Sequence, residues 1–179
     1  MTSKLVVMNA PHMAAYQREL GRNFAQWRKS WYVYFFQIPR LPEALLTRDH
    51  GAGIKQLLRR SASPATFSEE DLTRYAEAFC KPGAATAAIN WYRAAARHVL
   101  TRARLPNGGR VSAPTLLIWG AHDAALDIGQ TEGLERWAPN LTVRILPDAS
   151  HWVQQDAPDM VNRYLLDFLR NDLPVTAGK

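Results

Sequence analysis

A chain of 179 residues with 47% hydrophobic content is long and apolar enough for one ordinary globular core. No uninterrupted apolar run approaches the roughly 20 residues that span a bilayer, and no basic-then-apolar leader opens the chain, so a cytoplasmic protein without membrane contact is expected. The formal charge of +6 is uneven, with 16 Lys and Arg against 7 Asp and Glu between Met13 and Arg110. No clustering with stacking aromatics or nucleic-acid fold motif accompanies that surplus, so it reads as solvated helix faces and no nucleic-acid partner is expected. Cys80 is alone, which excludes an intrachain disulfide and a thiolate-rich metal site, and it is expected as a small buried apolar residue. His12, His50, His98, His122 and His151 show no metal-ligand spacing, so neither metal nor cofactor is expected.

In chain order, Leu5-Val6-Val7-Met8 is a continuous apolar run stopped by Asn9-Ala10-Pro11, the pattern of a buried strand. From Ala14 to Arg110 the character is helical. Phe24, Trp27, Trp31, Tyr34 and Phe35 recur at spacings of three and four, predicting a helix over Arg22–Phe36 that Pro39 and Pro42 end. Short helices follow around Pro42–Leu46 and Gly53–Arg60. Ser68 ahead of Glu69-Glu70-Asp71 opens another, with a capping hydroxyl and an acidic first turn, and Lys81-Pro82-Gly83 stops it. Ala84–Thr101 is an alanine-rich helix, and Leu105-Pro106-Asn107-Gly108-Gly109 is a turn-rich exit. Strand and helix then alternate: Thr115–Trp119, Ile128–Trp137, Leu141–Leu146 and Pro158–Arg170, the last with Val161, Tyr164, Leu165 and Phe168 along one face. One strand, a helical insertion and two strand-helix units make an α/β pattern with three parallel strands.

Two strand ends carry groups suited to proton transfer. Asp123 follows Thr115-Leu116-Leu117-Ile118-Trp119-Gly120, and His151 follows the run ending at Leu146. Strands of an open parallel sheet end at a common edge, so loops remote in sequence can meet there. A neutral imidazole takes a proton from water when one ring nitrogen is free and a carboxylate holds the other. Asp127 and Asp148 are the alternatives for that carboxylate, and His122 is read as a loop residue without a chemical role.

Ile118-Trp119-Gly120-Ala121-His122-Asp123 and Pro147-Asp148-Ala149-Ser150-His151-Trp152-Val153-Gln154 resemble the acid and histidine loops of α/β-hydrolases of the epoxide hydrolase branch. The resemblance extends from Leu5 to Leu169. It implies the C-terminal portion of that fold: a partial core over residues 1–12 and 111–179, and a helical lid over residues 13–110. Ser30-Trp31-Tyr32-Val33-Tyr34-Phe35-Phe36-Gln37 and Asn90-Trp91-Tyr92-Arg93 resemble the two lid segments that project paired tyrosines in this branch, which assigns Tyr32 and Tyr92, with Tyr34 the rival of Tyr32. Asn9 stands where some related dehalogenases carry their acid, and an amide cannot ionise, so the resemblance gives the acid role to Asp123.

By the same resemblance the substrate is a small apolar epoxide, opened to a diol through an aspartyl ester. The first five strands of the fold, the turn bearing the aspartate nucleophile and the oxyanion-hole loop have no counterpart here, so a truncated chain, inactive alone, is expected. The first strand would then be an exposed edge, open to an N-terminal half or to self-association. Another hydrolase of the fold, an esterase or dehalogenase, and a non-catalytic half that binds a partner or ligand are the alternatives.

Overall fold

The computed structural model describes residues 2–100 and 105–170. Strands β1 (Leu5–Met8), β2 (Thr115–Gly120) and β3 (Leu141–Leu146) form one parallel sheet in the order β1-β2-β3. Leu5 lies opposite Thr115 and Met8 opposite Ile118, while Thr115 faces Leu141 and Gly120 faces Leu146. All of β2 is buried, as a central parallel strand requires, and this is why it reads as an unbroken apolar run. β1 is only half-buried along its length, because β2 covers one of its sides.

Alternation along β2 divides the core in two. Leu116 and Ile118 join Leu146, Ala149, Val153, Val161 and Phe168 on one face, where helices α7 (Val153–Asp156) and α8 (Pro158–Arg170) lie. Leu117 and Trp119 join Ala15, Leu126 and Leu134 on the other. Each fully buried side chain of this size contributes about 1.5–3 kcal/mol by removing its surface from water.

Between β1 and β2 run α1 (Met13–Arg22), α2 (Phe24–Lys29), α3 (Trp31–Phe35), α4 (Leu41–Ser61), α5 (Glu69–Phe79) and α6 (Ala84–Leu100). They enclose a separate core of Phe36, Leu46, Ile54, Leu58, Leu72, Ala76 and Ile89. α4 is broken at Arg48–Gly51, where Asp49, His50 and Gly51 take φ of 48°, 55° and 87°, so its two arms correspond to the two short helices read from the sequence. α5 opens in a full capping box: Ser68 Oγ accepts from Asp71 N at 3.1 Å, and Asp71 Oδ2 accepts from Ser68 N at 3.0 Å. The sequence places the end of the next helix at Thr101, which lies outside the described residues.

Three expectations are corrected. The single helix predicted over Arg22–Phe36 is split, because Asn23 is extended and caps α2 through Ala25 N and Gln26 N, and because Ser30 leaves helical geometry. The helix predicted over Ile128–Trp137 is two 3-10 turns, Ile128–Thr131 and Leu134–Arg136. There the Arg18 guanidinium donates to Gly129 O (2.9 Å) and Glu132 O (2.8 Å), occupying carbonyls that a helix would use. Cys80 is exposed rather than buried, since it caps the end of α5 beyond the turns that place Leu72 and Ala76 inward.

No helix among the described residues is long and apolar enough to cross a membrane. No group of three or more His, Cys, Asp or Glu among them is arranged to hold a metal ion.

Candidate active site

The site begins at Gly120, the last residue of β2. A Cβ there would lie 2.0 Å from Ser150 O and 2.5 Å from Ala149 O, so only glycine lets the loop after β3 cross the strand end this closely. Backbone bonds fix the crossing, with Ala121 N donating to Leu146 O and His122 N to Ala149 O, both at 3.0 Å. The consequence is that the loops bearing Asp123 and His151 run side by side.

Asp123 Oδ2 lies 2.8 Å from His151 Nδ1 and accepts from Asn9 Nδ2 at 2.6 Å. Oδ1 accepts from Ala125 N at 2.7 Å and Leu126 N at 2.9 Å. Burial, at 2% exposure, pushes the Asp123 carboxyl up, but the His151 hydrogen bond and charge, with Asn9 and the Leu126 N–H, outweigh it and hold the group below the usual carboxylate range. An ionised Asp123 can only accept, so Nδ1 carries the proton and Nε2 is left free. Lys29 Nζ donates to Asp123 O at 2.8 Å, tying α2 to the acid loop.

The histidine loop is also fastened to the helical insertion. Asp156 Oδ2 accepts from Ser150 N at 2.6 Å and Ser150 Oγ at 2.5 Å, while Oδ1 accepts from Thr66 Oγ1. Trp152 Nε1 donates to Ser61 Oγ at 3.0 Å, and the Trp152 ring meets Phe67 edge-on at 5.2 Å and His151 at 5.4 Å.

Tyr32 on α3 and Tyr92 on α6 meet edge to face with centroids 5.7 Å apart, and both pack with Trp152 against the insertion's core. Burial raises the Tyr32 hydroxyl far above its ordinary value, with smaller contributions from Tyr92, Tyr16 and the Asp123 charge. Burial raises Tyr92 as well, aided by Tyr16. Both phenols therefore stay protonated and able to donate at neutral pH.

The structure thus brings Asp123 to His151 and Tyr32 to Tyr92. It does not do so for the rivals. Asp127 caps Gly129 N at 3.0 Å and pairs with Lys29 at 3.7 Å, Asp148 and His122 are exposed, and Tyr34 lies tilted against Trp27. The sequence reading missed Lys29, the Asp156–Thr66 tie, and Tyr16, whose hydroxyl donates to Ser30 Oγ at 2.9 Å beside Trp31 and Tyr32. None of these has a local signature, because each is defined by a partner at least 14 residues away. From the sequence, Asn9 shows only as a position without a carboxylate.

A family model described as alpha/beta hydrolase fold matches residues 4–158. AB hydrolase superfamily protein YfhM of Bacillus subtilis (strain 168) is 36% identical over 168 residues, covering 94% of this chain and 57% of its own length. Epoxide hydrolase 4 of Homo sapiens is 35% identical over 178 residues, covering 96% of this chain and 48% of its own. A crystal structure of Bacillus megaterium epoxide hydrolase in complex with an inhibitor superposes with a TM-score of 0.81 at 25% identity, over 95% of this chain and 61% of that one. The chain spans about half the length of the curated relatives it matches.

Proposed function

We propose that this chain, which belongs to the α/β-hydrolase fold family in its epoxide hydrolase-like branch, supplies the electrophilic donors and the water-activating base for opening a small apolar epoxide to a diol. The observation that carries the reading is the half-buried pair of protonated phenols, Tyr32 and Tyr92, packed in one cluster with the neighbour of His151. In this reading residues 13–110 act as a lid over the strand ends.

Tyr32 and Tyr92 hydrogen-bond the epoxide oxygen and stabilise the alkoxide that develops as the C–O bond breaks. A carboxylate attacks the ring carbon from the opposite side and becomes an ester as the ring C–O bond breaks, and the alkoxide takes the proton of one of the two phenols. His151 Nε2 then removes a proton from water as the hydroxide adds to the ester carbonyl; the adduct collapses by breaking its bond to the diol oxygen, which takes the proton back from His151, and the carboxylic acid left behind returns its proton to the phenolate. Asp123 stabilises the imidazolium formed in that step.

Asp123 is committed to His151, Asn9 and two backbone N–H groups, so the ester-forming carboxylate is a different group. We assign it to a complementary half of the fold that pairs at the outer side of β1, one of the two edge strands of the described sheet. That edge has unpaired backbone groups suited to another strand.

The test is diol release from a chromogenic aryl epoxide, by the chain alone and mixed with the complementary half of a relative, with His151→Ala and Tyr92→Phe as controls. Release that needs both residues supports the reading. Hydrolysis of an aryl ester without ring opening would replace it with ester chemistry, and turnover of neither substrate in either form would leave a binding protein.

A further inference from the structure

Asn9 closes β1 with a left-handed φ of 39° and is only 3% exposed. Few non-glycine residues adopt that backbone, and asparagine is among the most tolerant. Both ends of its side chain are used. Oδ1 accepts from Gly120 N at 2.9 Å, and Nδ2 donates at 2.6 Å to Asp123 Oδ2, the same oxygen that His151 Nδ1 reaches. Asn9 N also donates to Ile118 O at 3.0 Å, so the residue is fixed before it reaches the acid.

We propose that Asn9 is a positioning residue that shares Asp123 Oδ2 with His151 and so limits how tightly the imidazole holds its proton. This rests on reading Asp123 and His151 as the acid–base pair. A lone carboxylate oxygen facing an imidazolium gives that cation its whole charge; a second donor on the oxygen takes part of it. With less of that charge on it, the imidazolium formed at Nε2 passes its proton on more readily. An amide does this at every pH, whereas an aspartate at position 9 could donate only while holding a proton. The other groups facing the pair are Lys29, whose Nζ bonds Asp123 O, and Tyr32, whose phenol feels the Asp123 charge.

The experiment is a histidine-selective NMR titration of the full 179-residue chain and of Asn9→Ala, with His151→Gln identifying the His151 signals. The His151 pKa is expected to rise by about half a unit to one unit in Asn9→Ala. A residue that merely ties β1 to β2 would loosen the pair instead, so an unchanged or lower His151 pKa overturns the inference. Should Asn9→Ala not fold, the wild-type chain still decides: the Asn9 side-chain amide protons must move with the His151 titration, and their failure to do so overturns the inference. Absence of an Nδ1–H resonance dependent on Asp123 would instead sink the underlying acid–base reading.

Discussion

The two halves of the candidate site are held by different forces. At the sheet end, Asn9, Gly120, Asp123, Ser150 and His151 are fixed by short hydrogen bonds and one backbone crossing that admits no side chain. In the helical insertion, Tyr32, Phe36 and Tyr92 are held by ring packing, with centroids between 5.0 and 5.8 Å apart. Hydrogen bonds fix direction, so the Asp123–His151 pair has one geometry. Ring contacts fix volume and leave the hydroxyls to turn toward whatever oxygen arrives. The same contrast extends outward: Phe24, Trp27, Trp31 and Trp91 remain exposed on the insertion, while β2 has no exposed residue.

If the sheet end is fixed by that crossing, Gly120→Ala should be the most damaging single change. Its Cβ meets backbone oxygens that cannot step aside, and a loss above about 4 kcal/mol is expected in urea unfolding. A loss below about 1 kcal/mol would show that the crossing is soft. Ile89→Ala empties a 1% exposed position in the insertion's core and should cost about 2–5 kcal/mol, most of it recoverable by Ile89→Val. Ser68→Ala removes the capping box of α5 for about 1 kcal/mol, without altering the His151 NMR signals. Tyr92→Phe keeps the ring packing and should change stability by less than about 0.5 kcal/mol while abolishing diol release; a larger loss would mean that the hydroxyl is structural.

The halves should also separate by pH. The Asp123 carboxyl sits below its ordinary value in the folded chain, so its contribution is present above the usual carboxylate range and is lost as pH falls through the lower folded value. Tyr32 and Tyr92 sit above their ordinary value, so their contribution is complete below it and is lost as pH climbs toward the folded value. Acid unfolding should therefore respond to Asp123→Asn and alkaline unfolding to Tyr32→Phe. Swapped responses would remove the contrast.

The strands, the capped start of α5 and α8 were readable because their signals are local. An apolar run, a Ser three residues before an Asp, and a 3.6-residue stripe need no knowledge of distant chain. The Ile128–Trp137 segment was misread because Arg18, more than a hundred residues earlier, takes its carbonyls. Cys80 was misread because composition says what a residue prefers, and only packing says which face of α5 it ends on.

By itself the sequence determined the parallel α/β order, the two strand-end loops, and, through its resemblance to a family, the residues expected to act. Tertiary structure decided which carboxylate meets the imidazole, which tyrosine meets Tyr92, and that Asn9 reaches the acid. Periodicity and turn chemistry are short-range, whereas a hydrogen bond between Asn9 and Asp123 exists only once the fold has brought together positions 114 apart in the chain.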